Sequence, residues 1–111
     1  MILVINDIDM EKEHLVAKGQ PFQLLCKTPK GISKPKVRWT KADGSAIAKP
    51  FYLKNNKTLS IDKTTLNDSS SFKCIANNEA GSKEVVVQII VSGNDITFFI
   101  VLYNHAVLFG S

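Results

Sequence analysis

The sequence predicts an all-β sandwich, in which two antiparallel sheets pack face to face around one core. Three observations carry the prediction. Apolar and polar residues alternate in short segments separated by turn residues, the single tryptophan Trp39 falls on the inward phase of one segment, and Cys26 and Cys74 fall on the inward phase of two others. Successive side chains of a strand point to opposite faces, so residues of one phase share one side of a sheet.

Taken in order, residues 2–8 read as a first strand and 14–17 as a second. Within 21–27, Phe22, Leu24 and Cys26 alternate with Gln23, Leu25 and Lys27, which places Cys26 inward and leaves Leu25 as the one break in the polar face. Within 36–40, Val37 and Trp39 point in while Lys36, Arg38 and Thr40 point out. Ala42-Asp43-Gly44-Ser45 is a turn, because Asp-Gly supplies positive-φ backbone at low cost, and 46–48 follows as a short edge or crossing segment. Residues 51–54 form a further strand, Asn55-Asn56 its turn, and 58–62 the next strand with Leu59 and Ile61 inward. In 71–77 the residues Phe72, Cys74 and Ala76 face the core, and Ser71, Lys73 and Asn77 face out together with Ile75. In 82–91 the polar Glu84 and Gln88 set the phase, leaving Val85, Val87, Ile89 and Val91 for the core and turning Val86 and Ile90 outward.

A chain of 111 residues with 44% hydrophobic and 22% charged residues can bury one modest core, so residues 1–93 are expected to form one domain and 94–111 an apolar extension. The composition gives no sign of disorder or of a repeat array.

The order Leu59, Ile61, Leu66, Asp68, Ser70, Phe72, Cys74, Ala76, Asn78 and Gly81 resembles the I-set immunoglobulin pattern, a leucine strand followed by Asp-x-Gly-x-Tyr-x-Cys-x-Ala-x-Asn-x-x-Gly. With Cys26 and Trp39 the likeness covers residues 19–91 and implies an immunoglobulin-like Greek-key β-sandwich, a disulfide between Cys26 and Cys74, and Trp39 packed beside it. That disulfide would contribute about 4 kcal/mol on the loop-entropy model, and only in an oxidising compartment. Ser70 stands where the pattern has glycine and Phe72 where it has tyrosine, and the missing hydroxyl removes a hydrogen bond worth about 1 kcal/mol. The run 19–26 with Pro35 to Trp39 also resembles adhesion molecules of the neuroglian type and insect hemolin. That likeness implies a module of a longer extracellular protein, working in homophilic or heterophilic cell adhesion or, as in hemolin, in binding microbial surfaces.

A binding surface follows from the same phases, since in such a sandwich the strands of 36–40, 71–77 and 82–91 lie side by side. Their outer face would show Lys36, Arg38, Lys73, Ile75, Val86 and Gln88, an apolar centre flanked by cations. Isolated exposed aliphatics and strand lysines are also ordinary surface features. The net charge of +4 favours anionic partners such as sulfated glycans. The lysines, spread from Lys12 to Lys83 without an aromatic-basic groove, do not predict nucleic-acid binding. No catalytic, cofactor or metal site is expected: His14 and His105 stand near opposite ends, and the cysteines are not a Cys-x-x-Cys pair. His14 is expected at the surface. Two N-glycan sequons, Asn56-Lys57-Thr58 and Asn67-Asp68-Ser69, fall at turns, and the expected burial of Asp68 favours Asn56.

The termini raise a question of compartment. Met1-Ile2-Leu3-Val4-Ile5 followed by Asn6, Asp7 and Asp9 does not read as a secretory signal, so the expectation is a fragment or isoform of a longer cell-surface protein. The alternative is a cytoplasmic, sarcomeric module of the titin and twitchin type with both thiols reduced. The stretch 96–109 has three readings. As a membrane helix it spans about 21 Å against a hydrocarbon core of about 30 Å. As a lipid-anchor signal it lacks the polar spacer. As a nonnative extension from truncation or splicing it would make the chain poorly soluble, which deletion after Gly93 should cure.

Overall fold

The computed structural model of the protein describes residues 4–93. Residues 2 and 3 of the first expected strand, His105 and the whole extension 94–111 lie outside the described residues.

Among the described residues nine strands occur in the order β1 Val4–Ile5, β2 Glu13–Ala17, β3 Phe22–Leu25, β4 Gly31–Ile32, β5 Lys36–Lys41, β6 Tyr52–Lys54, β7 Thr58–Ile61, β8 Ser70–Asn78 and β9 Gly81–Ser92. One sheet has the order β2-β9-β8-β5 and the other β3-β7-β6, while β1 and β4 pair with each other at one end. Neighbours in the two large sheets are antiparallel except β2, which runs parallel to β9 with Leu15 opposite Ile90. Among the described residues of the first expected strand, Val4 and Ile5 pair in β1, and Ile8 is buried in the core beyond them.

The inward phases meet in one core. Leu59, Ile61, Phe72, Val87 and Ile89 are fully or almost fully buried, with Trp39 at 4% exposure. Cys26 and Cys74 form a disulfide between the sheets, with Cα atoms 6.2 Å apart. The carbonyl of Lys57 accepts both the Trp39 indole N–H at 2.8 Å and the Cys26 N–H at 2.9 Å, so one oxygen joins the tryptophan, the disulfide strand and the β6–β7 turn. Asn55 and Asn56 have φ of 52° and 59°, and Lys57 donates to the Lys54 carbonyl at 3.2 Å. Two consecutive positive-φ residues make the tight hairpin turn that matches strand twist, and asparagine tolerates that backbone.

The departures from the family pattern are accommodated locally. Ser70 begins β8 without positive φ, so the position makes no demand for glycine. Phe72 keeps its packing, with its ring 4.7 Å from that of Phe51. The corner before β8 is held by other groups: the Asp68 carboxylate accepts from the Thr65 N–H and hydroxyl at 2.6 and 3.0 Å, and the Ser69 hydroxyl accepts the Val91 N–H at 2.9 Å.

Thr40 keeps its outward phase opposite Lys73 but is buried there, and its hydroxyl donates to the Lys41 carbonyl. Of the two readings of 46–48 the crossing segment holds: these residues form no strand, which leaves β5 at the edge of its sheet among the described residues. His14 is half-buried rather than on the surface: its ring meets the Phe22 ring edge-on at 5.7 Å, and Nε2 lies 3.0 Å from the Glu11 carbonyl.

Candidate protein-docking face

The outer face of the four-stranded sheet is built in rows set by strand register. Arg38, Ile75 and Glu84 form one row across β5, β8 and β9. Thr40, Lys73 and Val86 form the next, followed by Ser71 and Gln88 with Glu13 of β2. Lys36 stands opposite Asn77 at the other end. The fold therefore brings Lys36, Arg38, Lys73, Ile75, Val86 and Gln88 onto one face.

Their exposures differ. Val86 is 47% exposed, and Lys36, Arg38 and Gln88 are also exposed. Ile75, expected as part of the apolar centre, is 8% exposed and does not belong to the main core cluster. Directly opposed side chains touch across an antiparallel face, and the stems of long charged residues cover apolar neighbours. Arg38 and Glu84 flank Ile75 in this way. Lys73 is half-buried and pairs diagonally with Glu84 at 3.7 Å, so its charge is partly neutralised. What remains for a partner is Val86 as the apolar point, Arg38 and Lys36 as cations with no ion pair among the described residues, and Gln88 as a hydrogen-bonding group.

Beside this face, a groove of about 560 Å³ runs along the free edge of β5 and is lined by Arg38, Ile47, Phe51 and Leu53 among others. Alternation could not reveal it, because it arises where the irregular crossing segment leaves both sheets uncovered.

At the opposite end, Asn78 makes a clamp that sequence spacing did not reveal. Its amide nitrogen shares two N–H bonds among the carbonyls of Val4, Ile32 and Ser33 at 2.8, 3.1 and 2.7 Å. Its oxygen accepts the Ala80 N–H at 2.8 Å. Gly31 fits beneath it: a Cβ there would stand 2.6 Å from the Val4 carbonyl and 3.1 Å from the Asn78 amide nitrogen. The motif asparagine thus pins the N-terminal strand to the end of β8.

Asn56 is exposed at the tip of its turn. Asn67 is exposed too, but it lies in a short 3-10 turn whose next residue, Asp68, is buried, and whose Ser69 hydroxyl is engaged by Val91. Among the described residues, no group of His, Cys, Asp and Glu side chains is arranged to hold a metal ion.

The described residues form a two-sheet sandwich stapled by a disulfide, with a charged outer face on its four-stranded sheet. A family model described as Immunoglobulin domain matches residues 5–78, and the chain belongs to that family. It is 36% identical over 78 residues to rat (Rattus norvegicus) Immunoglobulin superfamily member 10, covering 66% of this chain and 3% of that protein. It is 35% identical over 79 residues to human (Homo sapiens) Leucine-rich repeat and fibronectin type III domain-containing protein 1, covering 69% of this chain and 10% of that one. The chain therefore spans a tenth or less of these relatives. Among solved structures, immunoglobulin domains 1–4 of Sidekick-1 superpose with a TM-score of 0.64 at 21% identity, covering 82% of this chain and 24% of that one. Drosophila OTK extracellular domains 3–5 give 0.61 at 24% identity, covering 81% and 31%. These likenesses show the fold.

Proposed function

We propose that this chain is a recognition module of a longer cell-surface or secreted protein, docking a protein partner of immunoglobulin type through the outer face of the four-stranded sheet. The observation that carries the reading is Val86, an aliphatic side chain 47% exposed at mid-strand opposite Lys73, with Arg38 exposed on the same face of the sheet. Arginine is among the residues that carry most of the energy at protein interfaces, and an apolar centre rimmed by polar groups is the usual anatomy. The inter-sheet disulfide supports placement in an oxidising compartment, and the multidomain relatives support a tandem setting.

The test is binding of the bead-coupled chain to itself and to an array of cell-surface immunoglobulin ectodomains. Val86→Glu and Arg38→Glu should each weaken the observed association tenfold or more, about 1.4 kcal/mol. Undiminished binding by both variants, or no binding in either arm, would count against the reading. With a partner in hand, homophilic and heterophilic modes separate at once.

A further inference from the structure

Two clefts at the β1–β4 end of the molecule carry opposite kinds of charge balance. One, of about 280 Å³, is lined by Lys27 and Lys30 together with Asp7 and Asp9, so its cations stand beside acids. The other, of about 470 Å³, is lined by Lys34, Lys36 and Lys57 together with Pro35, Val37 and the Asn55-Asn56 turn, and includes no acid. The ion pairs among the described residues are Lys73–Glu84 and Lys83–Asp7, so the three lysines of the second cleft have no carboxylate partner. All three are exposed. Two distant parts of the chain supply them: Lys34 and Lys36 stand together at the entry to β5, and Lys57 comes from the β6–β7 turn that its carbonyl holds against Trp39.

We infer that the Lys34–Lys36–Lys57 cleft binds the sulfate groups of a sulfated polysaccharide. Three lysines lining one concavity raise the local potential above that of scattered lysines, and binding releases counterions from a dense polyanion. The cleft has the size of a small-ligand site, enough for a short stretch of sugar. The asparagine side-chain amides can donate to sulfate or hydroxyl oxygens, which gives the site hydrogen-bonding selectivity beyond charge. The proline and valine add an apolar wall for sugar ring faces. The inference rests on the extracellular placement proposed above, where such polymers occur, but not on the protein-docking face, with which it shares Lys36 alone.

Its test is direct binding of the whole disulfide-bonded chain, made without glycan, to immobilised heparin at about 0.15 M salt. The set Lys34→Gln, Lys36→Gln and Lys57→Gln is compared with Lys12→Gln, Lys18→Gln and Lys63→Gln, exposed lysines elsewhere. Each set removes three positive charges and takes the formal net charge from +4 to +1. Such surface changes should leave thermal unfolding almost unmoved. The cleft set should lose about tenfold or more in affinity and lower the salt slope by about two to three, while the control set loses about threefold or less. Fully desulfated heparin should not bind. Equal losses in both sets, no binding by the parent chain, or equally tight binding of duplex DNA or phosphatidylserine vesicles would overturn the inference.

Discussion

The two sheets use the same alternation of residues yet are held in place by different means. In the four-stranded sheet, β8 and β9 form one continuous antiparallel ladder from Ser70–Ile89 to Asn78–Gly81, with β2 and β5 on its flanks. The three-stranded sheet has strands of only three or four residues. It depends on tethers: the disulfide from Cys26, the Lys57 carbonyl against Trp39, and the Tyr52 hydroxyl donating to Asp62. The long sheet therefore holds itself and offers a steady outer face, whereas the short one is positioned by its cross-links. Their outer faces differ as well. Val86 stands near cations on the first, while the more exposed Leu25, at 56%, stands in a row with Thr58 and Lys54 on the second.

Removing the disulfide by Cys26→Ala with Cys74→Ala should have the largest effect, a loss of about 2–5 kcal/mol in denaturant unfolding. Hydrogen exchange should then rise first in β3, β6 and β7. Protection lost equally in β8 and β9 would contradict the asymmetry between the sheets. Asn78→Ala should come next, costing about 2–3 kcal/mol, because carbonyls of Val4, Ile32 and Ser33 lose a donor. Exchange in β1 and β4 reports the release directly, and Gly31→Ala should produce the same pattern through its clash with the Val4 carbonyl.

The outer faces are separated by Val86→Glu and Leu25→Glu. Each should change stability by about 0.5 kcal/mol or less, and only the first should weaken partner binding. Equal weakening by both would remove the distinction between the faces.

The smallest effect is expected at Tyr52, whose hydrogen bond to the Asp62 carboxylate raises its phenol above the ordinary value of 10.0. A raised folded-state value means that the stabilisation is fully present below the unfolded phenol's pKa and is lost as pH rises through the folded one. Tyr52→Phe should therefore be slightly less stable than the parent at neutral pH, and the difference should close in strong alkali in a melting series.

Most of the core was legible because it rests on local phase. Trp39, Leu59, Ile61, Phe72, Val87 and Ile89 were assigned inward by alternation alone, and all are buried. The Asn55-Asn56 turn was legible because asparagine tolerates positive φ. What escaped depends on contacts between distant residues. Asn78 reaches carbonyls 45 and 74 positions away, which no periodicity encodes. The burial of Ile75 depends on which long side chains stand opposite it, and strand register is not visible in the pattern of one strand. The basic cleft escaped for the same reason, since Lys57 joins Lys34 and Lys36 only after the β6–β7 turn has docked. The face expected from phase is present in outline, but its apolar centre is Val86 rather than Val86 with Ile75.

A short sheet that depends on its staple requires Cys26 and Cys74 to be oxidised in the protein's native setting. The most direct measurement is the intact mass of the protein from its native source, alkylated without reduction. An oxidised module should show no alkyl adduct on Cys26 or Cys74. Two alkylated cysteines would refute that state, and would place the chain among reduced, intracellular sandwiches.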